Sequence, residues 1–264
     1  MIHDALAVAL ITVAVALGLG AGELLLARGV GPEITRKLAH VQAGLVTAAF
    51  PLLLGHTESV AVLCGGFALG LGLLHARGHL ASLHAVGRRS CGDVALPLAA
   101  ATCFALTRGR PTVYVAALLV LAVSDALAAG VGQLAGRCRY RVLGSVRSLE
   151  GSAAFAVSAF PVIALALACG EGRGLLDVAW RAAGAALLAS GLEALTPFGL
   201  DNLSVPLGVV AALLAFESPA AGRFVEALWL LAGLAVGFAL GRARLGALRR
   251  SWERAAAARQ PAWS

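Results

Sequence analysis

Charge is scarce in this chain. Asp, Glu, Lys and Arg supply 13% of its 264 residues, about half the share of an ordinary soluble domain, so a protein held in water by an ionised surface is excluded. Lysine is nearly missing, with Lys37 standing alone among the arginines. Patterned cysteine is missing too. Cys64, Cys91, Cys103, Cys138 and Cys169 form no CxxC pair and no metal spacing with histidine, which excludes a zinc ribbon or a disulfide scaffold and leaves them as small apolar fillers. No internal repeat is evident. The first apolar stretch opens on Ile2, His3 and Asp4 without a basic segment before it, so it reads as a retained span rather than a cleavable secretory signal.

Apolar sequence is abundant. Hydrophobic residues reach 59% and mean hydropathy is +0.86, in recurring runs long enough to cross a hydrocarbon core of about 30 Å. The chain reads as all-α, a polytopic integral membrane bundle over 1–241 with a short basic, dispensable cytosolic tail over 242–264. About nine membrane helices are expected, near 5–27, 35–55, 57–76, 92–107, 112–134, 150–170, 175–195, 202–217 and 223–241. The fourth and eighth are short and carry Pro97 and Pro206, which suggests broken or re-entrant helices buried in protein.

The net charge of +7 sits in short loops and the tail, which points to anionic headgroups and phosphates rather than nucleic acid. Arg28, Arg36 and Lys37, then Arg77, Arg88 and Arg89, then Arg137, Arg139, Arg141 and Arg147 follow the first, third and fifth spans, and more arginines fill the tail. The opposite loops hold Arg108, Arg110, Arg173 and Arg223. By the positive-inside rule the N-terminus lies outside and the C-terminus in the cytoplasm. Four polar strings, RKLAH (Arg36 to His40), SDALAAGVG (Ser124 to Gly132), RSLEGS (Arg147 to Ser152) and GLDNLSVP (Gly199 to Pro206), then open toward the cytosol, where a water-soluble anionic co-substrate would meet a membrane-dissolved one.

Asp125 lies inside an apolar run, where an unpaired carboxylate costs several kcal/mol. It needs a partner, be it an arginine in a structural pair, a divalent metal or a proton in acid/base work. Arg147 offers a planar fork to phosphate oxygens, and Ser148, Gly151 and Ser152 stand where a helix begins and free N–H groups face an anion. An ordinary capping box built on Ser148 and Glu150 is the simpler reading of the same residues. Arg36 and Lys37 open the second span either as topological anchors or as phosphate ligands, with His40 one turn on. Asp201 and Asn202, which follow Glu193 by eight and nine residues, offer oxygens of the kind magnesium takes, or Asp201 is a plain N-cap. Glu23 is a further intramembrane acid, and His56, His75, His79 and His84 carry no assigned chemistry.

Taken together, RKLAHVQAGL, RRSCGDVALPL, SDALAAGVGQLAGR, RSLEGSAAF and EALTPFGLDNLSVPL resemble, in the same order, the motifs of the phytol kinase, dolichol kinase and CTP-dependent diacylglycerol kinase family, itself related to the phosphatidate cytidylyltransferases. The resemblance runs from about Arg36 to Leu207. It implies a CTP-dependent, magnesium-requiring transfer of a phosphoryl group to a lipid alcohol that enters laterally between helices. Asp125 and Asp201 would then bind the metal, with Asn202 in support. Arg36, Lys37 and Arg147 would clamp the triphosphate over a cradle of Ser148, Gly151 and Ser152, and Asp125, Glu150 or His40 would take the proton.

One position departs from the family, which usually carries lysine where Arg147 stands. The longer basic signature of the cytidylyltransferases proper is absent, which makes nucleotidyl transfer to a lipid phosphate the second reading. A small-solute transporter is the third, weighed down by the lack of repeats. The Ala-, Arg- and Gly-rich composition suggests a GC-rich bacterial genome and a plasma-membrane location.

Overall fold

The computed structural model describes residues 2–78, 91–142 and 145–217. The expected ninth span and the tail lie outside the described residues, as do His79, His84, Arg88, Arg89 and Arg223. Ten helices appear in order: α1 (Ile2–Ala27), α2 (Pro32–Ala48), α3 (Phe50–Leu53), α4 (Thr57–Ala76), α5 (Gly92–Leu106), α6 (Pro111–Leu119), α7 (Asp125–Leu134), α8 (Leu149–Glu171), α9 (Leu175–Leu195) and α10 (Asp201–Ala215). A π-helical turn, Val120–Ser124, joins α6 to α7 in one rod.

Sequence explains the breaks. Pro32 and Pro111 start α2 and α6, where a missing N–H is harmless, and Gly29 and Gly172 take left-handed φ values of 86° and 59° to end α1 and α8.

Five of these stretches are long and apolar enough to cross a membrane: His3–Ala27, Thr57–Ala76, Pro111–Ala135, Leu149–Gly170 and Leu175–Leu195. The helices α5 and α10, each of 15 residues, run on through Pro97 and Pro206 rather than breaking. At about 22 Å each they fall short of a ~30 Å core. One element departs from the all-α expectation. Strands β1 (Arg139–Val142) and β2 (Ser145–Ser148) pair antiparallel with Arg139 opposite Ser148 and Tyr140 opposite Arg147. Four-residue strands inside an arginine-rich stretch carry too little alternation to be read from sequence.

The rod of α6, the π turn and α7 is the most buried of the long stretches, α8 packs on α6, α7 and α9, and α9 packs on α10. Alanines line these contacts, among them Ala116, Ala117, Ala182, Ala185 and Ala189, all fully buried. Small side chains let backbones approach and gain dispersion contacts, which is what drives helix association where lipid is as apolar as leucine. Leu6, Leu10, Val13 and Leu17 of α1 face outward instead, as a lipid-facing helix requires. Cys64 and Cys103 fill the core as expected, but Cys91, Cys138 and Cys169 are exposed.

Successive helices alternate, so the molecule has two ends. One gathers Cys91, Arg147 and the turn before α10, where the Cys91 N–H donates to the Phe198 carbonyl at 2.9 Å. The other gathers Asp4 with His56 at 3.0 Å and Arg173 with Glu217 at 2.8 Å.

The α2 helix and the π turn approach closely. A Cβ placed on Gly44 would lie 2.6 Å from the Ala122 Cβ and 3.2 Å from its Cα, whereas one on Gly65 meets nothing. Replacing a helical glycine by alanine normally stabilises by about 1 kcal/mol. Gly65→Ala should therefore raise the melting temperature in detergent slightly, and Gly44→Ala should lower it. A rise in both would show that α2 and the π turn are not held in contact.

Candidate functional site

The π turn sets the first part of the site. Its wider hydrogen-bond pattern displaces the backbone just before Asp125, an arrangement common at functional positions. The Leu121 carbonyl lies 3.3 Å from the His40 Nε2. Asp125 itself receives the Lys37 Nζ at 2.5 Å and the His40 Nε2 at 3.3 Å on the same oxygen, Oδ2. The partner that a buried carboxylate demands is thus a lysine and a histidine one turn apart on α2.

The second part lies on the turn from α9 to α10. Phe198 and Gly199 sit consecutively at φ 60° and 80°, and a left-handed phenylalanine costs about 1–2 kcal/mol. Cys91 holds that turn through its N–H, and Asn202 fastens α10 to α5 by donating to the Gly92 carbonyl at 2.8 Å. This places Asp201 opposite Arg147, whose Nη2 donates to the Asp201 Oδ2 at 3.1 Å and to the Thr196 carbonyl at 2.8 Å. Arg147 also pairs with Glu193 of α9. Its Nε is buried without a hydrogen-bond partner among the described residues.

Ser148 caps α8, its Oγ accepting from the Gly151 N–H at 3.1 Å. Glu150 does not complete a capping box. Its carboxylate accepts the Cys138 N–H at 3.0 Å and closes the base of the hairpin. Ser152 bonds Tyr140 across the same corner, Oγ to phenol oxygen at 2.6 Å. Space here is tight enough to favour glycine: a Cβ on Gly151 would meet the Ala128 carbonyl at 3.0 Å, and one on Gly132 the Ser148 Oγ at 3.1 Å.

These pieces face one polar cleft of about 510 Å³. Of the residues expected from sequence, Arg36, Lys37, Asp125, Arg147, Ser148, Gly151, Ser152, Asp201 and Asn202 line it. His40 touches the cleft through Asp125 and lines a neighbouring apolar groove, and Glu150 lies outside the lining. Arg36 is bidentate to Glu33, at 2.6 and 3.1 Å.

Glu193 also lines the cleft, a candidate site residue that sequence reading passed over. The signal was present, because it is an acid in the apolar stretch LLASGLEAL, subject to the same cost as Asp125. Oxygen atoms of Asp125, Glu193 and Asp201 lie within 4.8 Å of one another, and Lys37 and Arg147 stand against them. The three carboxylates bring together hard oxygen donors of the kind a divalent ion such as magnesium takes, in a cleft whose lining balances Glu33, Asp125, Glu193 and Asp201 against Arg36, Lys37, Arg139 and Arg147.

Removing one partner of a buried pair costs about 3–5 kcal/mol, since the other charge is left uncompensated. Lys37→Met should accordingly lower the melting temperature sharply, and adding Asp125→Asn should restore much of the loss. Equal melting temperatures for wild type and Lys37→Met would contradict the pairing.

No protein-family model matches the chain, and no solved structure matches it. The chain is 36% identical over 201 residues to a phytol kinase of Synechocystis sp., an alignment that covers 75% of this chain and 82% of that protein. With that identity over that extent, the chain belongs to the phytol kinase family.

Proposed function

We propose that the protein phosphorylates a lipid alcohol of the phytol type, with CTP as donor and magnesium as the required ion, at the cytoplasmic face of the bacterial plasma membrane. The observation that carries this reading is the meeting of two unlike spaces. The polar cleft holds the carboxylates and cations, the apolar groove opens between helices, and Arg36 and Asn202 line both. A triphosphate and a lipid hydroxyl can meet only at such a junction.

Phosphoryl transfer asks for alignment and charge neutralisation more than covalent help. Asp125, Glu193 and Asp201 would hold magnesium, with Asn202 in support, and when bound the ion spreads the charge of the donor phosphates. The chain's own residues do the rest. Arg36, Lys37 and Arg147 line the cleft and grip phosphate oxygens, and the N-terminal turn of α8 presents backbone N–H groups beside Ser148 and Ser152. The Asp125 and His40 pair takes the proton of the hydroxyl, since His40 borders the groove from which the alcohol arrives. Glu150, held by the hairpin, serves structure.

CTP labelled at the γ-phosphate should transfer its label to phytol, farnesol or a polyprenol in inside-out vesicles and not in sealed right-side-out ones, while α-labelled CTP leaves the lipid unlabelled. Asp125→Asn and Glu193→Gln should each reduce turnover by at least about 100-fold. Transfer of the α-label would assign nucleotidyl transfer instead, and full activity in either variant would remove that residue from the site.

A further inference from the structure

The apolar groove beside the cleft has a construction of its own. Four helices give it apolar stripe residues: Ile11 and Val15 of α1 and Ala43 and Thr47 of α2, each pair one turn apart, face Phe67 and Leu71 of α4 and Leu96 of α5 along its walls. The α1 helix packs on α2, and α4 packs on α5, but contacts between the two pairs are sparse. The groove is therefore the seam between two helical hairpins, and the outer faces of both expose leucines and valines among the described residues. It is small, at about 100 Å³ against about 510 Å³ for the polar cleft, and so leaves less room for two chains side by side than for one. Its inner end is chemical. Arg36, His40 and Asn202 border it there, and two of these also line the cleft.

From these features, and resting on the kinase reading above, we propose that the seam between the α1/α2 and α4/α5 pairs is the lateral entry and chain-binding site for a single-chain isoprenoid alcohol, and that its depth along α2 measures the chain. The hydroxyl lies at the Arg36, His40 and Asn202 end, and the chain runs past Ala43 toward Thr47. From Arg36 to Ala43 is seven residues of helix, roughly 10 Å, and from Arg36 to Thr47 roughly 16 Å. A short prenyl chain ends near Ala43. A phytyl chain must pass it.

Two measurements test this, one of which does not depend on catalysis. A prenyl alcohol bearing a terminal diazirine, photolysed with the purified full chain in detergent, should label the stripe residues of these four helices, and excess phytol should abolish the label. Labelling on α8 to α10, or label removed by phosphatidylglycerol but not by phytol, would overturn the assignment, the latter marking a structural-lipid seat.

In the kinase assay, Ala43→Phe, or Val15→Phe from the opposite wall should the first fail to fold, should lower the phytol-to-geraniol ratio of kcat/KM at least tenfold. Leu17→Phe on the lipid-facing side of α1 should leave that ratio as it is. An unchanged ratio in both wall variants would overturn the chain-measuring groove. Specific photolabelling of the seam by a protein that phosphorylates no alcohol would sustain the binding site and sink the kinase reading separately.

Discussion

A carboxylate within an apolar bundle must find a counter-charge or a proton, because neither lipid nor alanine will solvate it. Asp125, Glu193 and Asp201 meet that demand by converging from α7, α9 and α10 on Lys37 and Arg147. The convergence constrains most of the molecule. Lys37 must come from α2, so α2 lies against the π turn. Arg147 must reach the turn before α10, so the β-hairpin folds over the end of the bundle and delivers it one residue before the cap of α8.

Close packing makes such reach possible. Gly44 allows α2 to approach Ala122, and Gly132 and Gly151 let α7 and α8 meet beside Ser148. The left-handed Phe198 and Gly199 turn Asp201 toward Arg147, with Cys91 and Asn202 fastening the arrangement to α5. Strain of this kind persists where surrounding contacts over-determine it. On the proposed reading these same contacts fix the carboxylates to within the distances that a shared metal ion requires, while the loosely joined hairpin pairs leave a seam for the lipid.

Much of this was legible in the residues alone. Apolar runs located eight helical positions within a few residues, and the scarcity of charge singled out Asp125 and Asp201 as candidates, both of which line the polar cleft. The ordered motifs anticipated the family that the phytol kinase relative establishes. What was not legible depended on tertiary distance. Nothing in the sequence distinguishes Glu193, which faces Arg147, from Glu23, and Glu150 looked like an active-site acid although its hydrogen bond runs to Cys138. The hairpin was hidden because its strands are shorter than a pattern needs. The shortness of α5 and α10 was visible, but their unbroken passage through Pro97 and Pro206 was not, since neighbouring helices can re-satisfy a freed carbonyl.

The central claim is that three carboxylates from three helices act as one metal site. Manganese, a paramagnetic stand-in for magnesium, can be titrated into the purified protein with a non-hydrolysable CTP analogue and followed by electron paramagnetic resonance. The account predicts saturable binding that weakens at least tenfold in Asp125→Asn, Glu193→Gln and Asp201→Asn alike, with melting temperatures confirming that each variant is folded. Wild-type manganese affinity in a folded Glu193→Gln protein would contradict it.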